Sequence, residues 1–224
     1  MPQAVAVACI LLLAATLPAF AQVDPSKAGV NTLPSPGSYF VHVGPSGLFP
    51  DESVSLKAAG LPIPGTMSIR DSATLAVETG LFLTPDVAVS VTAGIPTISK
   101  IEAAGALKGL GTIGKAFGGA TSAQLQYHWT GFGSFQPYVG IGPTFLCLLD
   151  TEDGFLSRYR VSDAVGVSFQ AGADFMLDEH WGLFLDVKRA ILRTSSSGYL
   201  GPVRVTGNVV LDGTAVHSGV TYRF

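Results

Sequence analysis

From residue 38 onward the chain keeps returning to one pattern, an alternation of apolar and polar side chains with a period of two. That period belongs to a strand with one apolar and one polar face. The last stretch shows it best: Phe224, Tyr222, Val220, Ser218 and Val216 fall on one side, and Arg223, Thr221, Gly219 and His217 on the other. The same reading predicts strands over 38–44, 72–83, 87–94, 123–129, 137–149, 165–177, 181–192 and 208–224. The connections between them alternate in length. Residues 45–70, 95–120, 150–164 and 193–207 read as long loops; 84–86, 130–136 and 178–180 read as short turns rich in Gly, Pro, Asp and Ser.

An even strand number with long and short connections in turn is the signature of an outer-membrane barrel. The expected fold class is therefore all-β: an eight-stranded antiparallel transmembrane β-barrel with long extracellular loops, short periplasmic turns and both termini in the periplasm. An edge strand in a soluble sandwich would also alternate. A soluble barrel, however, would turn its apolar faces inward, whereas these faces are uniform along every strand and carry aromatics at one end. Tyr39, Tyr127, Trp129, Trp181, Tyr222 and Phe224 all fall at the periplasmic side, as one interfacial girdle requires.

Composition sharpens the picture. Charged residues make up 13% of the 224, about half the share usual in soluble domains, and mean hydropathy is +0.42. The net charge of −3 argues against nucleic acid as a partner. Residues 4–21 form an uncharged apolar run ending Ala19-Phe20-Ala21, which reads as a secretory signal peptide over 1–21, although no Lys or Arg precedes it. An uncleaved anchor is the other reading of that run. Residues 22–37, with Pro25, Pro34 and Pro36, read as a flexible periplasmic tail, and 38–224 as the barrel domain. After Ala21 no apolar run is long enough for a membrane helix, so the membrane must be crossed by strands closed into a barrel. Removal of the leader would leave Cys147 as the sole cysteine, a small hydrophobe with no disulfide or metal partner.

The inward faces carry the candidate chemistry. The polar set is His42, Glu78, Gln124, Gln126, His128, Asp174, Asp186, Lys188, His217 and Arg223, mostly in the periplasmic half. Eight strands enclose only enough room for side chains, and unpaired buried charge is costly, so these charges should pair into a plug. Towards the extracellular end the inward residues turn apolar at Leu146, Leu148, Leu192 and Leu211, with Leu48, Phe49 or Phe155 joining from loops, a lining suited to a hydrophobic guest. Basic residues in the long connections, among them Arg70, Lys100 and Arg193, could meet lipopolysaccharide, but neighbouring acids make a mixed solvated surface the better reading. No metal-ligand spacing, phosphate loop or cofactor motif is present, and His217 and Ser218, as strand neighbours, face opposite ways and cannot form a nucleophile–base pair. Neither an enzyme nor a cofactor is expected.

At Phe135-Gln-Pro-Tyr-Val-Gly-Ile-Gly-Pro-Thr144 the chain resembles the OmpW family of small outer-membrane proteins. Gly37–Gly44, Thr84–Pro96 and Asp178–Lys188 resemble that family's first strand, first turn with third strand, and seventh strand. Gly118-Gly-Ala-Thr-Ser-Ala123 departs from its pattern before the fourth strand. The resemblance implies a narrow, largely hydrophobic lumen that binds or passes small hydrophobic molecules. The Tyr222-Arg-Phe224 end is similar to the closing strand of outer-membrane barrels, where the final aromatics are an assembly signal. The implied partners are outer-membrane lipid and lipopolysaccharide, the barrel-assembly machinery and a small hydrophobic ligand. The competing expectation is a structural or adhesive barrel whose interior is closed by salt bridges.

Overall fold

A computed structural model describes residues 33–58, 61–62, 66–105, 109, 111–153, 157–161 and 164–224. Residues 1–21, read above as a signal peptide, and most of 22–37, read as a tail, lie outside these residues, as does Phe155. The strands are β1 (Tyr39–Ala58), β2 (Leu61–Pro62), β3 (Thr66–Ile69), β4 (Ser72–Phe82), β5 (Val87–Gly94), β6 (Thr97–Ala104), β7 (Thr112–His128), β8 (Phe135–Asp153), β9 (Ser157–Val161), β10 (Ala164–Met176), β11 (Trp181–Leu200) and β12 (Val203–Arg223). Eight of them, β1, β4, β5, β7, β8, β10, β11 and β12, pair antiparallel in a ring that closes where β12 meets β1. The remaining four short strands hang on the long-loop end of this ring.

The predicted cores of all eight strands fall within the ring, with the predicted faces. Phe40, His42, Glu78, Gln124, Gln126 and Asp174 point inward and are buried, while Leu125 and Leu185, on the outer faces, are 53% and 56% exposed. Every ring strand exposes at least one large apolar side chain on its outer face, such as Val43, Leu75, Val89, Ile141, Val167 and Val220, and together they make an outer belt that lipid can cover. The six girdle aromatics sit at the short-turn end. Tyr127 meets Trp129 edge-on at 5.2 Å, Trp181 meets Tyr222 at 4.6 Å and Tyr222 meets Phe224 at 4.8 Å.

The long connections differ from expectation. Strand structure continues through much of them: β1 runs on to Ala58, β7 begins at Thr112, and β11 and β12 extend to a tight turn at Gly201-Pro202, with Gly201 at φ +58°. In these extensions the outer face need not be apolar, so the alternation that marks a strand disappears from the sequence while the backbone ladder goes on. Pro45 and Pro50, read as loop residues, lie inside β1. Pro45 faces Leu75 on β4, at the gap where β1–β12 pairing passes from Val43↔Val220 to Ser46↔His217. A residue without an N–H is accommodated at such a break.

The short turns hold themselves by side chains. Thr84 Oγ1 accepts from the Val87 amide at 3.0 Å, and Asp178 Oδ1 accepts from the His180 and Trp181 amides at 2.8 and 2.7 Å. Thr130 donates to Asp86 at 2.7 Å and so ties two of these turns together.

Candidate functional site

The lumen is layered from the short-turn end upward. Its base is aromatic: Phe40, Phe82 and His128 pack with centroids 4.9–6.0 Å apart, and Tyr138 stacks on His128 at 4.7 Å. Glycines make room for the large rings. A Cβ on Gly80 would sit 2.2 Å from the Phe40 ring, and one on Gly172 would sit 2.7 Å from Tyr138. Each glycine lies directly across a strand pair from the ring it admits.

Above this base lies the charged layer. Glu78 is its hub: it accepts from Ser90 at 2.7 Å, Gln126 at 2.6 Å, Lys188 at 2.8 Å and Gln170 at 3.2 Å. The Lys188 ammonium also donates to Asp186 at 3.1 Å, and Gln170 and Tyr138 donate to the same carboxylate. On the other side Arg223 donates to Asp174 at 2.9 Å, and the guanidinium stands 5.4 Å over the Phe82 ring. His42 joins the two halves. Its Nε2 is 3.1 Å from Asp174 and its Nδ1 is 4.0 Å from Glu78, ion-pair contacts without a hydrogen bond of normal geometry, and its ring stacks on Phe184 at 4.2 Å. His42, Glu78 and Asp186 bring possible ligand atoms within 4.8 Å of one another, but the cation seated on both carboxylates is Lys188 itself. In a dry interior such charges persist only when paired and hydrogen-bonded.

The next layer is hydroxylic. Ser168 receives the Gln124 amide and shares a short hydrogen bond with Thr144. Over it opens a cavity of about 280 Å³ facing the long-loop end. Its wall includes Leu48, Ala76, Ile101, Ala120, Leu146, Leu148 and Leu192, and its floor includes Ser168, Lys188 and His217. The volume sits at the lower edge of the range for small-molecule pockets.

The sequence-derived residues divide accordingly. Leu146, Leu148 and Leu192 line the cavity, as do Leu48 and Phe49; the Leu211 side chain lies outside the described residues, although its backbone pairs with Leu192. His42, Glu78, Asp174, Asp186, Lys188 and Arg223 form the charged layer; His128 belongs to the aromatic base and donates to Gln126 at 3.1 Å; Gln124 belongs to the hydroxyl layer. His217 stands apart from the ion pairs, 3.8 Å from Asp186, on the cavity floor. Ser90, Tyr138 and Gln170 were missed as network members. Each is an ordinary inward polar position in its own strand, and only the closure of the ring brings it to Glu78 or Asp186. Cys147 is buried, and in this structure its sulfur is disulfide-bonded, not the lone thiol expected above.

Comparison with known proteins places this architecture. The chain is 33% identical over 207 residues to an uncharacterized outer-membrane protein, y4mB, of Sinorhizobium fredii, covering 90% of this chain and 86% of that one. It is 30% identical to the outer membrane protein AlkL of Ectopseudomonas oleovorans, over 78% of this chain and 76% of that one. To the dibenzothiophene metabolism operon protein PahQ of Pseudomonas aeruginosa it is 27% identical, with 80% and 83% covered. The crystal structure of the outer membrane protein OprG from Pseudomonas aeruginosa superposes with a TM-score of 0.80 at 21% identity, over 86% of this chain and 98% of that one. The OmpW family is matched across residues 35–224. The chain is thus a member of the OmpW family of outer-membrane β-barrels.

Proposed function

We propose that this barrel takes small hydrophobic molecules from the medium into the upper lumen and so serves their uptake across the outer membrane. The observation that carries this reading is the cavity of about 280 Å³, walled by leucines, isoleucine and alanines and open towards the long-loop end. The long-loop end is extracellular in this reading and the short-turn end, with both termini, periplasmic. The name of one relative, a dibenzothiophene metabolism operon protein, points to the same class of compound. Below the cavity the charged and aromatic layers fill the barrel, so ions are not the cargo. A guest that reaches the floor must wait for this plug to move or must leave elsewhere. Tyr222 and Phe224, at the end of the closing strand, are proposed as the signal read by the barrel-assembly machinery. The outer belt and girdle sit in outer-membrane lipid and lipopolysaccharide.

The test is the initial rate of dibenzothiophene entry into cells lacking or producing the protein. Production should raise the rate severalfold, and Leu146→Asp with Leu148→Asp should abolish the gain in a barrel that still folds. An unchanged rate on production would instead favour a purely structural barrel.

A further inference from the structure

The cavity floor is less apolar than its wall, and it is incompletely satisfied. His217 is 1% exposed, lines the cavity, and neither of its ring nitrogens makes a hydrogen bond of normal geometry. The Asp186 carboxylate lies 3.8 Å from its Nδ1, and the backbone of Ala76 on β4 also approaches the ring. Thr92 on β5 also lines the cavity, and its hydroxyl is buried without a partner. The two lie in one sector: Ala76, which His217 approaches, pairs with Gly94, and Glu78, two residues on, pairs with Thr92. A buried donor or acceptor left unmade is costly, and such groups in native proteins usually await a partner. Here both belong to residues that line empty space of molecular size.

We propose that the cavity selects hydrophobic molecules bearing one neutral hydrogen-bonding oxygen, an alcohol or a carbonyl compound, over the bare hydrocarbon. The oxygen lies on the floor against His217 and Thr92 and the hydrocarbon part lies along Leu146 and Leu192. This rests on the reading of the cavity as a hydrophobic-guest site and adds the polar end of the guest. A neutral imidazole offers one donor and one acceptor, and a threonine hydroxyl offers both, so a hydroxyl or a carbonyl oxygen can be met. A carboxylate is disfavoured. The Lys188 ammonium beneath the floor is already held by Glu78 and Asp186, and with Asp174 the acids of the plug outnumber Lys188 and Arg223. A further negative charge would find no free cation there.

The experiment uses the refolded full barrel in lipid nanodiscs with methyl-labelled leucine and isoleucine. Octan-1-ol, n-octane and octanoate are titrated in turn, and each affinity is corrected for partition into empty nanodiscs. Shifts of the Leu146, Leu192 and Ile101 methyls should report octan-1-ol binding at least fivefold tighter than n-octane, with octanoate weakest. Thr92→Val, which is nearly isosteric, should narrow the ratio of octan-1-ol to n-octane affinity, and His217→Phe should narrow it too; an unchanged ratio in Thr92→Val would overturn the proposed polar contact. Equal binding of octan-1-ol and n-octane would overturn the proposed selection while leaving the hydrophobic site intact. Tightest binding of octanoate would overturn the neutral head group. Absence of binding by all three would remove the hydrophobic-guest reading itself.

Discussion

At the scale of single residues, Glu78 holds most of the interior together. It joins β4 to β5, β7, β10 and β11 through Ser90, Gln126, Gln170 and Lys188. Removing it leaves the Lys188 ammonium and the Gln170 amide with one carboxylate, Asp186, and the Gln126 amide and Ser90 hydroxyl with none. Breaking a buried ion pair from one side costs ~3–5 kcal/mol, whereas replacing both partners by apolar groups costs much less. Urea unfolding in lipid vesicles should therefore show Glu78→Leu destabilised by about that amount, and Glu78→Leu with Lys188→Met destabilised by less than the sum of the single changes. Additive losses would mean that the pair is not coupled. Asp178 gives a pH signature at the surface. The His180 and Trp181 amides aimed at its carboxylate hold its pKa below the ordinary value of 3.8. A carboxyl depressed on folding adds stability above its unfolded pKa and loses it as pH falls through its folded one. Asp178→Ala should thus lower stability at pH 5–7 and cost progressively less as the pH falls below 3.8; a loss independent of pH would assign the effect to the turn backbone alone.

At the scale of elements, strand cores and loop-end extensions obey different rules. Within the lipid-facing belt each strand must show one apolar face, so Val87–Gly94 is readable to the residue and Ser72–Phe82 nearly so. Above the belt that demand lapses, and stretches such as Arg193-Thr-Ser-Ser-Ser-Gly-Tyr-Leu200 carry no alternation, although every one of these residues has a partner on β12. Gly44, Pro45, Gly47 and Pro50 hide the length of β1 in the same way. Hydrogen exchange tests the extensions: amides of Thr194–Leu200 paired to β12 should exchange more slowly than expected of a loop, by at least tenfold. Loop-like exchange there would restrict the ladder to the barrel proper. The site was partly legible for a related reason. Alternation assigns His42, Glu78 and Lys188 to the inside, but it says nothing about height around a tilted, closed ring. That Glu78 meets Lys188 and Asp174 meets Arg223, while His217 is left over, follows from strand register alone.

At the scale of the whole molecule the barrel is two vessels in one. The half near the termini is filled by rings and paired charges and behaves as a core. The half near the loops is hollow, about 280 Å³, and floored by hydroxyls and an imidazole. A stiff closed base allows an empty upper lumen to persist, since the ring is held by the cross-links beneath it. The central claim is that a hydrophobic guest occupies this upper lumen and does not merely dissolve in the lipid around the belt. Intermolecular NOEs from dibenzothiophene to the labelled barrel in deuterated lipid test it most directly. The account predicts contacts to the methyls of Leu146, Leu192 and Ile101 and none to Met176 in the sealed base. Contacts confined to outward methyls such as Ile141 and Leu185 would contradict it.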